Sequence, residues 1–273
     1  MDTQMGQLEQ EKLWHRRMNK KAWIIWGGWL VTVALSVFCW NIMTENTLWV
    51  FVYDAPEQAA DLLSRMLPPR WGYIHSLYGA LWDTLNIATL GTLLGIIIAF
   101  PVAFLAARNT TPSVLFVRPI ALFIIVASRS INSLIWALLL VAILGPGILA
   151  GILAIALRSI GFVAKLLYEG IEEINPVSVE AVSATGASRL QVMDYAIIPQ
   201  ILPSFLGISL FRWDINIRES TILGLVGAGG IGLQLQHSLN TLAWPQVSLI
   251  VVVILGTVIV SEAISAKVRK MII

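Results

Sequence analysis

Long uncharged apolar runs alternate with short polar segments along the chain. Residues 22–42 carry no charge, nor do residues 84–107, whose helix is expected to start earlier, near Leu77. Residues 119–144 form a third run, broken once by Arg129 and closed by Gly145-Pro146-Gly147, a strong turn signal. Residues 148–168 are the fourth, with Arg158 and Lys165 toward the far end. A fifth starts near Ile201 and crosses a charged patch to about Leu223; the sixth, roughly 245–264, is uncharged until Glu262. About 20 apolar residues cross a bilayer as a helix. The pattern therefore predicts an all-α polytopic membrane protein of about six transmembrane helices.

Composition supports this. The chain is 57% hydrophobic and 12% charged, against roughly 25% charged in soluble domains. A net charge of +2 without a basic tract argues against a nucleic-acid partner. Cys39 is the single cysteine, which excludes an internal disulfide. The polar N-terminus lacks the form of a secretory signal, so the first apolar run is expected to be retained. Six spans put both termini on one side. That side would hold Lys12, Arg16, Arg17, Lys20, Lys21, Arg108, Arg118, Lys165, Arg189, Lys267, Arg269 and Lys270, and the other only Arg65 and Arg70. The bias places both termini in the cytoplasm. Trp14, Trp23, Trp40, Trp49 and Trp244 fall near span ends, where indoles suit the headgroup layer. On the outer side, residues 56–67 read as a short surface helix or an ordinary packed loop.

The run Gly224–Gly232 contains the pattern G-x-G-x-x-G. A dinucleotide site would need a preceding strand, a following helix and an acid about 20 residues on. Position 252 is Val, and alternating strands and helices are absent. No P-loop lysine is present either. Gly227, Gly229 and Gly230 instead suit a tight re-entrant connection on the outer side, where non-helical backbone must face protein or a watery cavity.

The polar segment 174–203 is the most informative. Asn175 and Pro176 form a helix start, Gly186 a stop, and Ser188 with Gln191 a capping box for a second short helix. Glu180 stands on a surface of small residues. Such a lobe is too small to bury its own core and is built to dock. Glu180-Ala181-Val182-x-x-x-Gly186, with Ala187 after it and Pro199 downstream, resembles the EAA loop of ATP-binding-cassette importer permeases. Val182, Ala196 and Ile198 depart from that pattern by apolar replacements. Residues 128–147 and 211–232 are similar to the corresponding segments of phosphonate-type permeases, so the resemblance spans about residues 77–266.

Charges within or beside spans are costly and functional by default. Arg129, Arg212, Asp214, Arg218 and Glu219 fall there. Asp214 and Arg218 are at i,i+4 and can pair; Arg212 and Glu219 return to nearly one face. One positive charge is left over, which suits an oxyanion, with Ser130, Asn132, Asn216 and Ser220 as further donors. Mutual pairing that fixes helix packing is the competing reading. Arg158 is expected near the cytoplasmic end of its span, in a structural role. His15, His75 and His237 show no metal spacing.

The resemblance implies a type I importer permease fold. Residues 1–76 would hold the N-terminus, first span and periplasmic segment; 77–266 the core, with a coupling loop at 169–200; and 267–273 a tail. It implies a non-enzymatic subunit of the bacterial inner membrane that moves phosphonates or phosphite. A second copy, two ATPase subunits carrying ATP and magnesium, and a periplasmic or lipid-anchored binding protein would be its partners. A methionine-type or other oxyanion permease is the near alternative. A secondary transporter is the far one, although no internal repeat supports it.

Overall fold

The computed structural model describes residues 2–45 and 47–272, with side chains from 21 onward to 271. The side chains of Lys12, Trp14, His15, Arg16, Arg17 and Lys20 lie outside the described residues. Every regular element described is helical. Five helices are long and apolar enough to cross a membrane, or six if one bent pair counts as a span.

Two units divide the chain, residues 1–61 and 62–273. The first contains α1 (Asp2–Glu45), whose stretch Lys21–Glu45 is apolar on every side. Trp23, Trp26, Trp29 and Phe38 are all exposed. A helix apolar all round belongs in lipid. Helix α2 (Trp49–Met66) begins seven residues before the expected Pro56, which lies inside it. Proline there removes one backbone donor, and an exposed helix can leave the orphaned carbonyl to water or headgroups.

The second unit is the bundle. Helix α3 (Ile74–Ala106) and α6 (Ile148–Glu172) run parallel and side by side. Gly91 meets Ile155, Gly95 meets Ser159, and the Arg108 amide donates to Glu172, all in one register. Gly91, Gly95, Ala99 and Ala103 recur every fourth residue and form the seam. Small residues let backbones approach, the usual basis of helix association in lipid. Helix α9 (Ile198–Leu223) packs antiparallel to α3, with Phe205 against Phe100 and Asn216 against Thr92. Helix α11 (Trp244–Ile272) covers α9.

The third expected span is not one helix. Helix α4 (Val117–Ser130) and α5 (Ser133–Leu144) meet at a 90° bend. Ile131 is extended there, and Asn132 caps α5 by accepting from the Leu134 amide at 3.2 Å. An N-cap asparagine restarts a helix and so releases the first one. The corner coincides with a short polar stretch, Ser128 to Ser133, that reads along the chain only as a polar interruption, because apolar residues continue on both sides.

The glycine run is more than a hairpin. After Gly227, Gly229 and Gly230, all at positive φ, a further helix α10 (Ile231–Asn240) climbs before α11 begins. The Ile231 amide donates to the Thr84 hydroxyl at 2.8 Å, while the Tyr73 hydroxyl reaches Gln234. Thr84 lies about 16 Å along α3 from Tyr73 at 1.5 Å per residue. The glycines are therefore sunk well below the outer end of the bundle.

Gly95 tests the seam. A β-carbon there would sit 2.6 Å from that of Ser159, whereas one at Gly79 on the same helix would meet nothing within 4 Å. Gly95→Val is expected to destabilise the bundle by about 1–3 kcal/mol, read as a lower melting temperature in detergent. Gly79→Val is expected to melt like the wild type.

Candidate functional site: an intramembrane charge band and an exposed lobe

Helix α9 delivers Arg212, Asp214, Asn216, Glu219 and Ser220 into the bundle at mid-depth, while Arg218 stays exposed beside Asp214. Arg212 is sealed, with 1% of its surface exposed. Its Nε donates to the Ser159 hydroxyl at 3.0 Å, its Nη2 to Glu219 at 3.4 Å, and its guanidinium lies 5.2 Å from the Phe162 ring centre. Asn216, also buried, donates to Thr92 at 2.6 Å and to the same Ser159 hydroxyl at 3.0 Å. Asn216 thus joins α9 to both α3, through Thr92, and α6, through Ser159. Asp214 accepts from Arg218 at 2.5 Å and from Ser261 on α11 at 2.9 Å. The hydroxyl of Ser220 is buried and donates to the Ile217 carbonyl.

Both pairs expected from helical spacing therefore form. Arg158 differs from expectation. It belongs to the middle of α6 and places Nε 3.6 Å from Glu219, with its side chain 30% exposed. Its depth was hidden because the inner limit of this span is drawn by partners, at Glu172, and not by hydropathy. Lys165 lies two turns further in, on the same face, and pairs with Glu169. Against it, α4 brings Arg129 and Ser130 to a hollow lined also by Ile125 and Tyr168. Ser128, next to Arg129, donates to the Leu157 carbonyl and accepts from the Gly161 amide, so α4 locks onto α6 at the level of Arg158. Arg129, Ser130 and Asn132 are exposed at the α4–α5 corner.

The glycine run follows the charge band at the end of α9 and packs on α3 and α6. Gly227 accepts from the Gly147 amide at 3.0 Å, and Ala228 packs on Gly151. Gly230 abuts Thr84, where a β-carbon would stand 2.6 Å from the hydroxyl.

Between α6 and α9 lie α7 (Pro176–Ala184) and α8 (Arg189–Val192), two short helices as the sequence predicts. Asn175 caps α7, and the Ser188–Gln191 box caps α8. Gly186 turns the chain at φ +82°. A π-turn over Met193–Ile197 then leads into α9, with Pro199 in its first turn. Val179 and Met193 pack against the cluster of Phe104, Leu167, Ile171 and Ile201. The Asn175 amide donates to Gln200 at 3.0 Å and ties the lobe to α9. Glu180, Ala181 and Gly186 stay exposed, and Ala181, Gly186 and Ala187 line an open hollow.

A lobe of this kind between two spans is matched by a family model. Residues 91–270 fit the binding-protein-dependent transport system inner membrane component. The chain belongs to that family. The phosphite transport system permease protein PtxC of Stutzerimonas stutzeri is 36% identical to this permease over 259 residues, covering 94% of this chain and 90% of the relative. The phosphate-import permease protein PhnE of Mycolicibacterium smegmatis is 40% identical over 240 residues, covering 88% of this chain and 44% of that longer relative. The inward-facing MetNI methionine ABC transporter shares the fold of this permease, with a TM-score of 0.63, 20% identity, and coverage of 72% and 96%. No group of His, Cys, Asp and Glu suited to a metal occurs among the described residues.

Burial separates the arginines. Arg212→Gln strands Glu219 and Ser159 in the bundle and is expected to cost about 3–5 kcal/mol. Arg129→Gln, at an exposed corner, is expected to leave the melting temperature of the purified permease within a degree or two of the wild type.

Proposed function

We propose that this permease carries phosphorus oxyanions, phosphite or phosphonates, across the bacterial inner membrane as part of an ATP-driven importer. The supporting observation is a surplus of positive groups at mid-depth, in a chain 36% identical over most of its length to a phosphite permease. Arg129, Arg158, Lys165, Arg212 and Arg218 face Glu169, Asp214 and Glu219. Guanidinium forks match the oxygens of a tetrahedral anion, and a weak site lets the cargo leave again.

The core, 77–266, pairs with a second copy, identical in the simplest assembly, to enclose the pathway. Each copy docks an ATPase subunit through Glu180, Ala181, Gly186 and Ala187, the exposed side of the lobe. ATP and magnesium belong to that subunit, and this chain performs no chemistry. A periplasmic or lipid-anchored binding protein delivers the anion to the outer mouth, beside the sunken glycines. Both termini face the cytoplasm, in keeping with the basic residues there. Closure of the ATPases moves the lobes, and α9 carries the motion to the charge band. Arg129, Ser130 and Asn132 at the corner are its exposed donors, whereas Arg212, Asn216 and Ser220 hold the helices.

Uptake decides this reading. The permease is expressed with its partner subunits in cells lacking their own phosphorus-anion importers. Uptake of labelled phosphite or 2-aminoethylphosphonate is expected, and Gly186→Asp is expected to reduce it by about tenfold or more. Aspartate tolerates positive φ better than most residues, so the lobe keeps its fold while its docking surface gains a charge. Normal uptake in Gly186→Asp would remove the docking assignment; no uptake by an assembled, ATPase-active wild type would remove the substrate class.

A further inference from the structure

Glu219 is the one described carboxylate shared by guanidiniums from two helices. Its two contacts are unlike. Arg212 is pinned by Ser159 and Phe162 and sealed, with its side chain 2% exposed, so it cannot move to meet a ligand. Arg158 offers Glu219 only its Nε, at 3.6 Å, and no terminal nitrogen of Arg158 has a hydrogen-bond partner among the described residues. Its side chain is 30% exposed, and that of Glu219 17%. The carboxylate is thus tethered on the Arg212 side and loosely held on the Arg158 side.

A guanidinium binds an oxyanion best through two parallel bonds, and this pair makes none. Lys165 lies on the same face of α6, about 10 Å further along at 1.5 Å per residue. An arriving tetrahedral anion presents several oxygens to the free fork of Arg158. It can displace a carboxylate held at one point, which then falls back on Arg212 and loses little.

We infer that Glu219 is a built-in substitute anion. It neutralises Arg158 while the pathway is empty, yields that arginine to the cargo, and returns to release it. This inference rests on the oxyanion reading for the identity of the cargo only. Without the carboxylate, Arg158 would be an uncompensated charge in a low-dielectric setting and would draw in small anions. Glu219 therefore keeps the permease tight as well as quick to unload.

The test is anion leak. The assembled importer is reconstituted in proteoliposomes loaded with labelled inorganic phosphate, and efflux is followed without ATP, with chloride in parallel. Glu219→Gln is expected to raise efflux about tenfold over the wild type, and adding Arg158→Gln is expected to abolish the increase. Wild-type efflux from Glu219→Gln, or a leak that survives Arg158→Gln, overturns the inference. Should Glu219→Gln not assemble, Arg158→Gln alone carries the test. An assembled Arg158→Gln importer that takes up labelled anion at the wild-type rate overturns the inference, and one that has lost uptake supports it. If phosphorus oxyanions are not the cargo, ATP-driven uptake of phosphite and phosphonate is absent from the wild type, while the leak and its dependence on Arg158 remain.

Discussion

The close approach of α3 and α6 is the constraint on which the bundle depends. In lipid, apolar side chains gain nothing by leaving hydrocarbon for one another, so packing must come from short backbone distances. Gly91 and Gly95 supply them, and the alanines at 99 and 103 continue the seam inward. The parallel register follows from this contact. It brings Ser159 level with Gly95, within reach of the same Asn216 that bonds Thr92, and Glu172 level with the amide of Arg108. Both polar ties are then available to hold the third helix and the inner loop.

That third helix, α9, carries polar groups that the bilayer would otherwise penalise. Ser159 accepts from Arg212 and Asn216 at once, and Ser261 donates to Asp214. Each tie joins two different helices. In a medium without water, a half-made network costs more than none, which explains why so many of the donors are satisfied inside the protein. It also separates buried fastenings from accessible groups. Arg212 is a fastening, while Arg129 and Arg158 keep open faces.

One helix links the two functional regions. The 26 residues of α9 span about 39 Å at 1.5 Å per residue. Its first turn is tied to the lobe through Gln200, its second half carries the charge band, and its end runs into the sunken glycines. Under the importer reading, a push on the lobe reaches the outer seal through a continuous rigid rod. The π-turn before it, over Met193–Ile197, is the one irregular joint between lobe and rod.

Much of this was legible along the chain. Long uncharged runs can only be helices in a bilayer, because lipid offers backbone groups no partners. Local chemistry also placed the lobe: Asn175, Gly186 and the Ser188–Gln191 box act over three or four residues, and the structure has each of them as expected. The pairs Asp214–Arg218 and Arg212–Glu219 followed from helical spacing alone. Three features did not. The 90° corner after Ser130 falls at a short polar stretch, residues 128–133, which passed for a polar interruption of one long span because apolar runs resume on both sides. Helix α10 was hidden behind a glycine run whose depth depends on Thr84, far away in sequence. Arg158 read as an end residue until Glu219, from another helix, met it at mid-depth. Sequence alone determines what a helix carries and where local caps stop it. Which charges face each other is decided by the register between helices, and that register is a property of packing.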